Sequence, residues 1–210
     1  MPNILLFLLN SIWANRMDWY FGVDMGVYHT TGVHFRVPVV PDAFLSLGVE
    51  RKKGGKSRKS YAVWEENGIV PIFTLEMVSH TPGGEYDEKV EIYKKLGVLY
   101  YVIYNPEFWR RDQHQPFEVY KLIDENYQLQ IGEPYFMPEI GLGIGRHQAV
   151  IGGIQQEFLC WYDERGNRYL TDAEQVQQER IRAEQEQQKA EKLAQYLRSL
   201  GVDPNNLPGN

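Results

Sequence analysis

The chain has 210 residues, 43% of them hydrophobic, and its 28 acidic against 22 basic side chains give a formal net charge of −6. That composition suits one domain with a full core plus an appendage, excludes a disordered polar chain, and argues against phosphate binding by bulk charge. The lone cysteine, Cys160, excludes an intramolecular disulfide and a cysteine-rich zinc module; it reads as a small core residue and fits a reducing, cytoplasmic setting.

In chain order, the opening run Asn3-Ile-Leu-Leu-Phe-Leu-Leu9 lacks a basic leader region and a small-residue cleavage site, and it is too short to span a bilayer. Leu5, Leu8, Leu9, Ile12 and Trp13 recur at spacings of three and four, which predicts an amphipathic helix over residues 4–17 covering one face of a sheet. From Asp18 to Val49, aromatic and β-branched residues punctuated by Gly22, Gly26, Gly32 and Gly48 predict a meander of short strands. The last of these follows Pro41 and carries Asp42. Arg51, Lys52, Lys53, Lys56, Arg58 and Lys59 surround Gly54 and Gly55, a pattern expected of a mobile basic loop. Such a loop could touch nucleic-acid phosphates or simply be solvated.

Residues 60–66 supply a short aromatic element with Trp64, and Val70 to Val78 reads as a buried central strand interrupted by Glu76. A turn at Thr81-Pro-Gly-Gly84 leads into a helix over residues 85–96, stopped by Gly97, and Val98 to Tyr104 reads as a second buried strand ended by Asn105-Pro106. Strand, helix and strand in that order predict a right-handed crossover between parallel neighbours. Phe117 to Ile123, Tyr127 to Gly132 and Phe158 to Tyr162 read as strands of a hairpin or peripheral sheet, so the fold class is α/β.

From Thr171 to Leu200 the sequence turns to Gln, Glu, Arg and Ala, which predicts one helix about 45 Å long. Its apolar residues Val176, Ile181, Ala190, Leu193, Ala194, Leu197 and Leu200 are dense only in the last turns. That favours a solvated extension packed at its end over a sustained coiled coil, with pairing of two copies as an alternative. The expected division is a domain over residues 1–165 and a helical tail over 166–210.

A carboxylate inside an apolar strand is expensive to bury, so Glu76 requires a basic partner or a metal ion. Asp42, after Pro41, is placed to project into a cleft at a strand start. Lys89 borders the stripe formed by Tyr86, Val90, Tyr93 and Leu96, and from there its ammonium could reach the acids. Two carboxylates can hold Mg²⁺ or Mn²⁺, and a lysine can orient water or offset charge on phosphorus. The plainer alternative is a lysine lying along Tyr93 or paired with Glu85 or Glu91. His29, His34, His80, His114 and His147 show no ligand spacing, although His80 follows Glu76 closely; Ser79 reads as a structural cap. Gly141-Leu-Gly-Ile-Gly145 is not set between a buried strand and an amphipathic helix, so it is no phosphate loop.

Val39-Val-Pro-Asp42, Trp64-Glu-Glu, Leu75-Glu-Met-Val-Ser79, Lys89 with Tyr93, Gly97-Val98, Tyr101-Val-Ile-Tyr-Asn-Pro106 and the tail closing in Leu200-Gly-Val-Asp-Pro204 occur in this order. Together they resemble the PD-(D/E)xK nuclease superfamily and, more closely, its Uma-two family of restriction endonucleases. The resemblance implies a restriction-endonuclease-like mixed sheet flanked by helices, a divalent metal held by Asp42 and Glu76, and Lys89 as the superfamily's lysine. In the common pattern that lysine stands where this chain has Val78; related families move it onto the following helix. Glu85 occupies a position that is often aspartate in the family, and residues 4–17 contain no acid of the kind some relatives place on the first helix. The implied activity is metal-dependent cleavage of DNA, with RNA as another substrate for the same site. An inactive interaction protein that pairs through its long helix is the alternative from a different class.

Overall fold

A computed structural model of the chain describes residues 2–31, 37–151, 153–201 and 203. Gly32, His34, Val202 and Pro204, named above, lie outside the described residues. The chain divides into two compact units, residues 1–169 and 170–210.

The first unit opens with α1 (Pro2–Ile12), then β1 (Trp19–Val23), β2 (Val27–Tyr28), β3 (Ala43–Leu47) and β4 (Tyr61–Ala62). Next come β5 (Phe73–Met77), α2 (Glu88–Leu96), β6 (Tyr100–Tyr104), the single-turn α3 (Trp109–Asp112), β7 (Phe117–Ile123) and β8 (Asn126–Leu129). A hairpin-rich stretch closes it: β9 (Tyr135–Met137), β10 (Leu142–Ile151) and β11 (Ile154–Tyr162). Six strands form the central sheet in the order β1-β3-β5-β6-β7-β8. Its β5 and β6 neighbours are parallel and the other pairs antiparallel, so the sheet is mixed and α2 is the crossover between the parallel pair. The expected α/β class holds.

Alternation along the strands divides the core. On one face Leu45, Leu75, Tyr100 and Val102 pack against Leu5, Leu8 and Leu9 of α1 and against Leu159 and Trp161 of β11. The indole of Trp161 donates to the carbonyl of Leu5 at 3.0 Å, which ties the second sheet to the first helix. On the other face Phe44, Tyr101 and Ile103 pack against Tyr93 and Leu96 of α2. The face under α2 also carries the polar residues of interest.

Several elements differ from expectation, each for a local reason. The first helix stops at Ile12 rather than residue 17; Trp13 turns edge-on to Trp19, with ring centroids 5.4 Å apart, and the Trp19 indole donates to the Arg16 carbonyl. The crossover helix begins at Glu88 rather than residue 85, because the Gly84 carbonyl accepts the N–H groups of Asp87 and Lys89 in a preceding turn. Gly97, at φ +82°, ends it as expected. The first strands do not form a simple meander: β2 leaves the ladder and pairs in parallel with β4. The glycine run at 141–145 opens β10, a strand the hydrophobic pattern hides. A Cβ on Gly143 would lie 3.2 Å from the Tyr162 Cβ, and one on Gly145 would lie 3.0 Å from the Pro134 backbone.

The second unit is α4 (Asp172–Ser199), opened by a capping box in which Thr171 and Glu174 satisfy each other's backbone N–H groups. None of its residues is buried, and Leu193 and Leu200 are about 60% exposed, so its apolar end is not packed as the sequence suggested. No described helix is long and apolar enough to cross a membrane.

A Cβ on Gly22 would sit 2.2 Å from the Phe44 ring, which is fully buried and has the Tyr61 ring 5.1 Å away, so it cannot yield. Gly22→Ala should therefore lower stability by about 1–3 kcal/mol in urea denaturation, and Phe44→Leu in the same chain should recover part of that loss.

Candidate active site

Two strand ends and one helix build the site. Asp42 immediately precedes β3, and its carbonyl accepts the Asp24 N–H at 3.1 Å while Oδ2 accepts the Met77 N–H at 2.6 Å. The β3–β5 register pairs Ala43 with Leu75; one step further sets Asp42 beside Glu76, at a separation of about 5 Å between Cα atoms for such partners. Pro41 has no N–H to offer a neighbouring strand, which suits this boundary.

Glu76 is the fourth residue of β5 and is wholly buried. Both carboxylate oxygens are occupied from α2: Lys89 Nζ donates to Oε2 at 2.7 Å, and the Tyr93 hydroxyl donates to Oε1 at 2.5 Å. Lys89 and Tyr93 are one helical turn apart, so one face of α2 delivers both donors. The alternative partner Glu91 is taken by Lys94 at 2.7 Å. Val78, two residues after Glu76, is buried and apolar. Asp42, Glu76 and Lys89 therefore meet at one end of the central strands, and Tyr93, expected on the sheet-facing stripe and beside Lys89 in the resemblance but with no role at the acids, is a fourth member. Its signal was available: a buried phenol one turn beyond a lysine that faces a buried acid must find an acceptor.

Burial pushes the Glu76 carboxyl up to about 7; the hydrogen bonds from Lys89 and Tyr93 pull it down, and the nearby charge of Asp42 pushes it up again. The Tyr93 hydroxyl is raised well beyond the ordinary tyrosine range, by burial first and then by the Glu76 charge, so it remains a donor. Two carboxylates that repel each other across adjacent strands, with a cation on one side only, suit a second cation. Each carboxylate oxygen has two acceptor positions. The bonds to Lys89, Tyr93 and Met77 thus leave acceptor capacity on both acids. Among the described residues no group of three or more His, Cys, Asp and Glu is gathered for a metal. A two-carboxylate set matches Mg²⁺, which completes its octahedron with water and phosphate oxygens.

The other residues singled out do different work. Glu85 is buried and its Oε2 accepts the Gly83 N–H at 2.8 Å, which pins the turn before α2. The α1 helix packs on the opposite face from Glu76, so no acid on its buried side could reach this site. Ser79 donates to the Thr81 carbonyl, and the His80 ring stands edge-on to Phe108. His29 bonds Thr31, His114 stacks on Tyr86 and His147 stands edge-on to Phe158. Cys160 is wholly buried in the core.

The basic segment is a tight turn rather than a mobile loop: Lys53 and Lys56 form a bridge around Gly54 and Gly55, both at positive φ. Arg58 is buried, makes two bonds of 2.9 Å to the Glu66 carboxylate, and lies over the Tyr20 ring. Lys53 pairs with Glu65 at 2.8 Å, and Arg51 lies 3.4 Å from the Trp19 ring centroid. Lys52, Lys56 and Lys59 are exposed. The turn follows the far end of β3, so about 16 Å of strand separates it from Asp42.

The model of the family Uma2, described as "Putative restriction endonuclease", matches residues 3–142 of the 210. The match runs from α1 to the first residue of β10 and includes Asp42, Glu76 and Lys89. No curated protein and no solved structure matches the chain.

The raised Glu76 carboxyl fixes a pH dependence. An unfolded glutamate releases its proton near 4.5, whereas in the fold Glu76 holds it to about 7, so rising pH favours the unfolded state across that window. The loss amounts to about 3 kcal/mol once both forms are ionised. Glu76→Gln removes it. In urea denaturation the variant should match wild type near about pH 4 and exceed it by about 3 kcal/mol near about pH 8; an equal offset at both would contradict the assignment.

Proposed function

Because the chain belongs to the family Uma2, described as "Putative restriction endonuclease", we propose that it is a metal-dependent endonuclease that hydrolyses phosphodiester bonds in DNA. The observation that carries this reading is the buried Glu76 carboxylate, beside Asp42 and bonded to Lys89 at 2.7 Å. Asp42 and Glu76 would hold Mg²⁺ or Mn²⁺. Such an ion supplies positive charge that polarises a phosphoryl oxygen and lowers the pKa of water.

This chain's residues would do the rest. Lys89 has only 22% of its side chain exposed, so its ammonium is part-desolvated and its charge acts at higher strength than in water. It would orient the attacking water and offset charge on the pentavalent phosphorus while the ester P–O bond breaks. β3 and β5 hold the acids rigidly, as positioning requires. Lys52, Lys56 and Lys59, exposed in the turn that follows β3, would contact the DNA backbone beyond the reacting phosphate.

One observation favours the rival class. Leu193 and Leu200 of the tail are about 60% exposed and seven residues apart, the spacing of a pairing seam. A protein that had kept the fold and lost the chemistry would associate through this seam without binding metal. In sedimentation of the full chain, dissociation by Leu193→Glu with Leu200→Glu, together with no metal uptake by wild type, would favour that reading.

The test of the proposal is divalent-dependent nicking of plasmid DNA. Wild type should nick with Mg²⁺ or Mn²⁺ and not with EDTA, while Asp42→Ala should reduce the rate about 100-fold or more with the fold retained. A folded wild type inert across divalent ions, on double- and single-stranded DNA, overturns it.

A further inference from the structure

We infer that Tyr93 is a positioning residue for the metal site, holding the Glu76 carboxylate in the orientation in which it can accept a divalent cation. The inference rests on the reading of Asp42 and Glu76 as metal ligands.

A carboxylate on a glutamate turns about its last torsion with little preference, and one donor on one oxygen does not stop it. Glu76 has two donors on two oxygens, Lys89 on Oε2 and Tyr93 on Oε1, and both come from the same helix. Their directions fix the plane of the carboxylate. The lysine cannot supply this alone, because its chain is long, flexible and still part exposed. Tyr93 can: it is wholly buried, and its ring packs 5.1 Å from the Tyr101 ring. Tyr101 is itself anchored, its hydroxyl donating to the Glu85 carbonyl at 2.6 Å. The rigid ring thus sets the position of the hydroxyl, and the hydroxyl sets the carboxylate.

The direction of the bond is also determined. In the ionised state that accepts a cation the carboxylate only accepts hydrogen bonds, so the phenol has to donate, and the oxygen it meets keeps a second acceptor position for that cation. Buried groups that orient a metal-binding side chain typically change metal affinity about ten- to a hundredfold when removed. A tyrosine that merely filled the core would leave affinity unaltered when only its oxygen is lost.

Calorimetric titration of Mn²⁺ into wild type, Tyr93→Phe and Tyr61→Phe separates these roles. Tyr93→Phe should raise the Mn²⁺ Kd by about tenfold or more, while Tyr61→Phe, which keeps a buried ring of the same core and loses only a bond to the Ile69 carbonyl, should stay within about twofold. Equal affinity in wild type and Tyr93→Phe overturns the inference and leaves the metal site standing. A wild type that takes up no Mn²⁺ overturns both. Should Tyr93→Phe not fold, 3-fluorotyrosine placed at position 93 keeps the hydroxyl: its fluorine resonance should shift on Mg²⁺ titration, and a resonance unmoved at saturation overturns the inference.

Discussion

The burial of one carboxylate organises this protein. Glu76 lies in the central strand β5 with no access to water, and an unpaired charge there would be untenable. The chain answers within seventeen residues of sequence: it turns at Gly84, runs α2 back across the same face and brings Lys89 and Tyr93 onto the two carboxylate oxygens. The parallel β5–β6 pair follows from that crossover. Asp42 arrives from the other side, held by the Met77 N–H, and its charge opposes that of Glu76. What remains is an acidic pair with a cation on one flank, which is an arrangement for receiving another.

The two faces of the sheet divide the tasks. The face toward α1 and the second sheet is built mostly from Leu, Val, Phe and Trp, with Tyr100 and Tyr104 reaching Glu139 and Glu157 through their hydroxyls, and it anchors the fold through contacts such as Trp161 on Leu5. The face under α2 also uses tyrosine where a simple core would use phenylalanine. Tyr61, Tyr93 and Tyr101 are all fully buried there, and their hydroxyls reach the Ile69 carbonyl, Glu76 and the Glu85 carbonyl. Tyrosine fills volume while its tip satisfies a polar group. A functional acid can therefore be set in an otherwise apolar layer.

The central strands and the acids were legible because they break a pattern: Glu76 interrupts an apolar run, and Lys89 borders the stripe that includes Tyr93. Helix boundaries were less so, since Gly84 and Trp13 act through hydrogen bonds and ring contacts that periodicity does not report. The strand at Leu142–Ile151 was hidden by glycines that serve close packing against Tyr162 and Pro134. The basic turn looked free in sequence because its acidic partners, Glu65 and Glu66, follow in a segment that folds back onto it. The tail helix was visible throughout, but its last turns stay exposed, and an apolar stripe does not reveal what covers it.

The account stands on Asp42 and Glu76 sharing a cation, and the most direct measurement is the loss of the free Mn²⁺ electron paramagnetic resonance signal on adding protein. Wild type should remove one Mn²⁺ per chain, with uptake abolished in both Asp42→Asn and Glu76→Gln. Uptake by those variants equal to wild type, or none by wild type, would contradict it.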